Sequence, residues 1–565
     1  MQKSNKKHPI PSTTALLKWE DDGKKLAAAL SSYLQSCVYL DTLSSAQNAD
    51  AKYVASRIDL SLGSCHTKLN EELAQSRVAL ARIRNKISSQ IYSLPNEVLA
   101  GIFKQVVYVP GPDEDIFPSM DESLTRIFKR LHGLLAVCST WRTICMGLGD
   151  LWSVIPVGDG NSSFPTPEVT ALALQRSQAL ISSSHPLQLA VVLSDPDAQA
   201  PSFVKGEVPQ FTSTNIDAQF TSSTPEISSL LQDLLASQSP SVMAELAINQ
   251  YFDPEDHSFK PPQEDEYLDL DTLDQNSTPF MNFIGSLSSI WLRGTHIHWN
   301  TITFSDKLVH LHLQSVVLGD HSKLDSLLRA IGSASQLRDV KLISIIAFTK
   351  EGSDWDLNVP TEEITLPNLQ TLLLDDLTFN VLSHILSSIS PGSHQLKVGL
   401  GTYSRCIHRG GRDFHSDFSL GDVANTLRRS NVDTLFINGS RHAWSHATVE
   451  FDELRSMLWR LDELNTLIIA SWEWNPKEIL GLKRPENRGF ADLAELFILD
   501  SNIPDPELLP EVVASYSLET LVLNCVLGDN ADQVVRQLNE AVPDFRLVKG
   551  ISKMDDFKYD EWRLW

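Results

Sequence analysis

LVHLHLQSV (308–316), LRDVKLISI (337–345) and LQTLLLDDL (369–377) are one nine-residue pattern written three times. Apolar side chains stand at the first, fourth and sixth positions. Side chains alternate across a β-strand, so the fourth and sixth residues share a face that can be buried. The template apolar-x-x-apolar-x-apolar occurs upstream at Met243/Leu246/Ile248 and Leu287/Ile290/Leu292. Downstream it returns at Val432/Leu435/Ile437, Leu464/Leu467/Ile469, Leu493/Leu496/Ile498 and Leu518/Leu521/Leu523. Successive starts from Leu308 lie 29, 32, 63, 32, 29 and 25 residues apart. The interval of 63 is close to two periods, and Leu396-x-Val398-x-Leu400 stands inside it as a degraded unit. Between copies lie helix-like stretches such as 324–328 and 381–386. Further upstream, Leu187-x-Leu189-x-Val191-x-Leu193 also has the period of a strand.

Strand plus helix at a fixed period is similar to the leucine-rich repeat, whose units run about 20–29 residues. Here the units are longer, and the asparagine or cysteine that follows the third apolar residue in that family is missing. Val316, Ile345, Leu377, Ser440, Trp472, Ser501 and Val526 stand there instead. Without an asparagine ladder the array is expected to be irregular. The expected fold class is α/β: N-terminal helices and a helical module, then an irregular solenoid with a parallel sheet over 180–550. A generic parallel α/β fold is the alternative. In the template, positions three, five and seven point away from the buried face. Position five reads Trp291, His312, Lys341, Leu373, Phe436, Ile468, Phe497 and Val522, apolar in its later half. An exposed apolar column marks a contact surface, though a loop or the C-terminal tail could cover it. Trp472 and Trp474, just past one strand, add interface-type aromatics. Trp291, Leu373, Phe436, Ile468, Trp472, Trp474 and Phe497 are therefore the candidate target contacts, for an unknown protein substrate.

The chain has 565 residues, 42% hydrophobic and 21% charged, which suits two or three globular domains. Its formal charge of −24 speaks against non-specific binding to nucleic acid or an anionic membrane. Lys3, Lys6 and Lys7 precede prolines, not an apolar stretch, so no secretory signal is expected, and no window is apolar enough for a membrane helix. Six cysteines without a C-x-x-C pair read as reduced thiols of the cytoplasm or nucleus. Residues 1–90 read as helical, with a heptad-type seam at Leu69, Leu73, Leu80, Ile83 and Ile87 that allows either a helix packing on the next domain or a short coiled coil over 69–90. Two polar segments, 195–225 and the acidic 253–274, read as mobile inserts in the array. Residues 551–565 read as a tail.

Residues 91–157 carry the sharpest motif. Leu94-Pro95-x-Glu97-Val98-Leu99-x-x-Ile102-Phe103 opens a helix: Pro95 suits a helix start, and Glu97 in the first turn favours the helix dipole. A Pro-, Gly- and acid-rich stretch follows, read as a surface loop over 110–122. Then come Val137-Cys138-x-x-Trp141-Arg142-x-Ile144 and Leu151-Trp152. The combination resembles the F-box, from which it departs by the inserted loop. With the helices before it and the repeats behind it, the chain is similar to the F-box families of mushroom-forming fungi. The resemblance implies docking on a Skp-type adaptor of a cullin–RING ubiquitin ligase complex. It makes Leu94, Pro95, Glu97, Val98, Ile102, Phe103, Val137 and Cys138 adaptor contacts. It makes Leu99, Trp141, Ile144, Leu151 and Trp152 the module's core. A three-helix bundle without adaptor function is the plainer alternative.

Catalytic signatures are missing from the sequence: there is no phosphate loop, dinucleotide fingerprint, nucleophile elbow or H-E-x-x-H. His296/His298 and His310/His312 each share a strand face, and Cys406-x-His408 with His415 lies in a Gly-rich loop, but none offers a full ligand set. No metal, cofactor or catalytic residue is assigned. The expectation is a non-enzymatic substrate receptor of a ubiquitin ligase; the alternative is a protein-binding repeat scaffold without a ligase.

Overall fold

The computed structural model describes residues 13–44, 51–88, 91, 94–109, 119–158, 166–178, 187–195, 210–220, 224–237, 242–250, 261–268, 278–349, 363–401, 403–408, 414–415, 418–439, 450–485 and 490–548. The chain divides into two compact units, 1–99 and 100–565.

In the first unit, α1 (Thr13–Ser44) is followed by α2 (Ala51–Leu60), a π-helical turn (Ser61–His66) and α3 (Thr67–Ser88). The Tyr33 hydroxyl lies 3.1 Å from Ser61 Oγ and 3.3 Å from His66 Nε2, tying α1 to the π turn. The seam predicted along α3 is on one helix, and Leu73, Leu80, Ile83 and Ile87 on it are exposed. α4 (Asn96–Tyr108) straddles the boundary between the units.

The second unit continues with α5 (Met120–Val137), α6 (Ser139–Gly147) and a 3-10 turn (Gly149–Trp152) that runs directly into β1 (Val154–Gly158). There follow α7 (Pro167–Gln178), β2 (Leu187–Leu193), β3 (Phe211–Ala218), α8 (Thr224–Ser237), β4 (Glu245–Gln250), α9 (Thr278–Ser286), β5 (Ser289–Arg293) and β6 (His310–Gln314). Next are β7 (Val317–Asp320), α10 (His321–Ser333), β8 (Asp339–Ile343), β9 (Ile346–Phe348), β10 (Thr371–Asp375), α11 (Phe379–Ser388) and β11 (Gln395–Leu400). After the pair β12 (Ile407–His408) and β13 (Phe414–His415) come α12 (Leu420–Arg428), β14 (Thr434–Asn438), α13 (Phe451–Leu458), β15 (Thr466–Ala470) and α14 (Pro476–Gly481). The chain ends its described part with β16 (Glu495–Ile503), α15 (Leu509–Val513), β17 (Thr520–Leu527), α16 (Ala531–Ala541) and β18 (Asp544–Leu547).

Fourteen of these strands form one parallel sheet in strict chain order, β1-β2-β3-β4-β5-β6-β8-β10-β11-β14-β15-β16-β17-β18. The fold is α/β with a long parallel sheet, and its one-dimensional order is consistent with a solenoid. Parallel neighbours need a crossover, which is why helices or long loops separate the template copies. All nine copies lie on strands, with their apolar residues in register: Leu311, Val340 and Leu372 are aligned, as are Leu313, Leu342 and Leu374. These side chains are buried. The degraded unit forms β11, with Leu396, Val398 and Leu400 buried.

Backbone geometry replaces the missing asparagine ladder. Immediately after their strands Ser315, Ser344, Asp376 and Ser471 adopt positive φ of 49–54° and Gly294 adopts 64°, while Asp500 (45°) does so at an irregularity within β16. That left-handed residue turns its N–H toward the next repeat. Gly294 donates to Gln314 O (3.0 Å), Ser315 to Ile343 O (2.9 Å), Ser344 to Asp375 O (3.0 Å) and Ser471 to Leu499 O (2.9 Å). With the backbone making these bonds, the residue at the asparagine position is free to be apolar: Val316, Ile345, Leu377 and Trp472 are all buried. A non-glycine residue in this conformation costs roughly 1–2 kcal/mol.

Four boundaries are corrected. The array begins at β1, inside the segment read as the helical module, because Ile155 and Val157 pair with β2. β3 lies within the segment 195–225, read as a mobile insert on its polar composition. Its Phe211 and Ile216 are buried, and Asp217 accepts 2.6 Å from Asn249 Nδ2, so interior hydrogen bonds satisfy polar residues that the pattern assigned to solvent. Burial pushes the Asp217 carboxyl up. Within 253–274, Tyr267 bridges to His296 and Leu268 is buried. Finally, α5 starts inside the predicted loop 110–122, with Met120 fully buried. Residues 110–118 and the tail 551–565 lie outside the described residues.

The turn ladder makes a direct prediction at Gly294, where an added Cβ would lie 2.5 Å from Gln250 O at a φ that L residues rarely adopt. Gly294→Ala should destabilise the array by at least ~1–3 kcal/mol, read as a lowered melting temperature of the full chain. An unchanged melting temperature would contradict the ladder.

Candidate functional site

The helical module is built from two stripes of one helix. Pro95 O accepts from Val98 and Leu99 N–H, both at 3.1 Å, which starts α4. Residues four apart on a helix share a side. Leu99, Phe103 and Val107 form a buried stripe, and Val98, Ile102 and Val106 form a second stripe that is 45%, 42% and 44% exposed. Three β-branched apolar residues facing water on one helix are unusual for a free surface.

Residues C-terminal to this helix hold its far end. Arg130 Nη1 donates to Val107 O (3.3 Å) and Val109 O (2.9 Å), satisfying terminal carbonyls of α4. The Tyr108 hydroxyl donates to Asp150 O at 2.7 Å, and Lys104 pairs with the Asp150 carboxylate. Burial raises the Tyr108 phenol to about 12. Cys138 caps α6, its Sγ accepting from Trp141 N–H at 3.4 Å. Arg142 Nε donates to Leu135 O at 3.1 Å, so both polar residues of the Val-Cys-x-x-Trp-Arg motif fix the α5–α6 corner. Trp152 donates Nε1–H to Cys145 O at 2.9 Å and lies beneath Arg176, whose guanidinium carbon is 5.9 Å from the ring centroid. The Cys145 thiol is pushed up to about 11 by burial, which leaves it inert at neutral pH.

Pro95, Glu97, Val98, Ile102 and Val137 are exposed, and Leu94 and Cys138 are half-buried. Phe103, expected at the adaptor surface, is a correction: it is buried and packs on Trp141 with ring centroids 4.8 Å apart. Phe103 lies four positions on from Leu99, so the two belong to the same stripe. Leu99, Ile144, Leu151 and Trp152 are buried, while Trp141 is half-buried.

The apolar column over the strands is a larger correction. Leu373, Phe436, Ile468 and Phe497 are no more than 5% exposed and belong to one cluster with Ile343, Ala470, Leu499 and Val522, against which Val548 packs. In-register strands bring Phe436, Ile468, Phe497 and Val522 side by side, and the column is core instead of an open face. Trp291 is half-buried and stacks on His312 with centroids 4.8 Å apart. Trp472 and Trp474 are buried and stacked on each other at 5.6 Å. Trp472 nevertheless borders an open groove of about 1290 Å³ at the C-terminal ends of β14–β17, which Glu450, Asp452, Glu473, Glu478 and Asp500 make predominantly acidic. Such crevices at strand ends are the usual place for ligands on open parallel sheets. No periodicity in the sequence points to this groove, because its walls come from strand ends and helix starts in four repeats.

The histidine pairs are engaged separately. Burial lowers His296 to about 4 and His312 to about 3. His298 stacks on Tyr267 at 4.2 Å, and His310 Nδ1 lies 2.9 Å from Asp339. Cys406 is buried. The sequence reading missed a different cluster, His321, Asp325 and His384, since only His321 and Asp325 are neighbours in the chain.

No family model and no curated protein matches the chain. A solved structure described as the crystal structure of a TLR13–ssRNA13 complex matches at 16% identity and a TM-score of 0.31, covering 60% of this chain and 46% of that one. The chain thus spans less than half the length of that protein, and a likeness this slight carries no argument. Among the described residues no helix is long and apolar enough to cross a membrane.

Ile468→Asp tests the burial of the column. A carboxylate at a 2%-exposed site with apolar neighbours on adjoining strands should cost about 3 kcal/mol or more. Circular dichroism and thermal unfolding of the full chain should show a weakened array; a fully stable variant would mean that the column opens to solvent.

Proposed function

We propose that this chain is the substrate-recognition subunit of a cullin–RING ubiquitin ligase, docking on a Skp-type adaptor through an F-box-like module and holding a protein target on an irregular leucine-rich-repeat array. The observation that carries the reading is the exposed Val98, Ile102 and Val106 stripe behind Leu94-Pro95. The opposite stripe of the same helix is consumed by the module's own core, so the exposed one is available to a partner. Burying three such side chains at roughly 25 cal/mol per Å² stabilises a small interface by several kcal/mol, before the costs of association. The closing Leu151-Trp152 and the capping Cys138 support the same motif by fixing the helices that follow. Target contact then falls to the acidic groove bordered by Trp472, since the central apolar column is packed. No residue is assigned a catalytic role; the chain acts by binding.

Ile102→Asp provides the test, because the exposed site lets the module fold. The full chain should bind a purified Skp-type adaptor, and the variant should lose about 2 kcal/mol or more, roughly thirtyfold in affinity. A wild-type chain that does not bind the adaptor, with its fold verified, would leave a repeat scaffold outside any ligase.

A further inference from the structure

Among the described residues, one group of side chains outside the docking module has the composition and spacing of a metal centre. His321 is the first residue of α10, and Asp325 lies four residues on, one turn along the same side of that helix. His384 projects from α11, the next described helix, which follows the strand two repeats on. His384 Nε2 is 2.8 Å from Asp325 Oδ1, and the His321 and His384 rings meet edge to face with centroids 4.3 Å apart. One ligand atom from each of the three residues lies within 4.8 Å of the other two.

We propose that His321, Asp325 and His384 bind a divalent transition-metal ion, zinc being the best fit, that clasps α10 to α11, consecutive described helices two repeats apart. Nitrogen and carboxylate ligands sit about 2.0–2.2 Å from tetrahedral zinc, which places the ligand atoms roughly 3.3–3.5 Å from one another. Small side-chain rotations therefore convert the observed arrangement into a coordination triangle. Two imidazoles and one carboxylate without a thiolate suit zinc and its neighbours better than magnesium or calcium, which take oxygen ligands. His384 is 8% exposed at its side chain and Asp325 is 47% exposed, so the ion rests on a buried imidazole and is reached from the carboxylate side. Water completes the coordination there. A plain hydrogen-bonded helix clip would need only Asp325 and His384; here a third ligand-bearing side chain, His321, converges on the pair.

The full chain, stripped with a chelator, should take up one zinc ion per chain in isothermal titration calorimetry. Cobalt(II) in its place should give the intense visible absorption of a low-symmetry, four-coordinate site. Zinc should raise the melting temperature, because an ion bound only by the folded state stabilises it. His321→Gln, Asp325→Asn and His384→Gln should each weaken this binding by at least about tenfold to a hundredfold and abolish the rise. His321→Gln guards against a trivial result: it leaves the Asp325–His384 hydrogen bond in place and should fold normally by circular dichroism. Zinc uptake that is absent in the wild type, or equal in wild type and His321→Gln, overturns the proposal.

Discussion

Everything in the larger unit depends on backbone hydrogen bonds that pass from each strand to the next in chain order. A parallel strand buries no apolar face alone; it needs a neighbour in register, and that neighbour needs the next. At the strand starts one carbonyl serves two N–H groups of the following repeat, as Val309 O does for Arg338 and Asp339. At the strand ends a left-handed residue donates to the following repeat. Between these two ladders the apolar fourth and sixth positions are aligned by the register. This is how an array of uneven repeat length, without asparagines at the turn, retains an unbroken sheet of fourteen described strands.

The cost of this solution is local strain at serines and aspartates, and its gain is a large apolar interior. Where an asparagine would need space for its amide, Val316, Ile345 and Leu377 add to the core. The Ser344–Asp376 and Ser471–Asp500 hydrogen bonds, 2.9 and 3.2 Å, link left-handed residues of adjoining repeats from the outside. Short polar side chains tolerate this conformation better than bulky ones, which accounts for the residue types found there.

The sequence made the strands of the array legible because Leu, Ile and Val recur at a fixed offset; all nine template copies are strands. It hid β3 because Ser213, Thr214, Asn215 and Asp217 resemble a loop, and only tertiary hydrogen bonding makes their burial tolerable. Exposure was harder to read than position. Ile468 and Val98 are both apolar residues at places suited to a partner, yet the first is packed and the second is open. Alternation tells which residues share a face, but not whether another layer covers that face. The same gap concealed the histidine cluster: His321 and Asp325 share a helix turn, while His384 arrives 59 residues after Asp325, two repeats on.

The functional reading rests on the separation of a docking helix from the array behind it. Hydrogen–deuterium exchange of the full chain, with and without a purified Skp-type adaptor, addresses that separation most directly. Protection should rise along α4 and at the exposed Val137, while the strands from β4 to β17 exchange as they do in the free chain. Adaptor-induced protection confined to the array, with none along α4, would contradict the account.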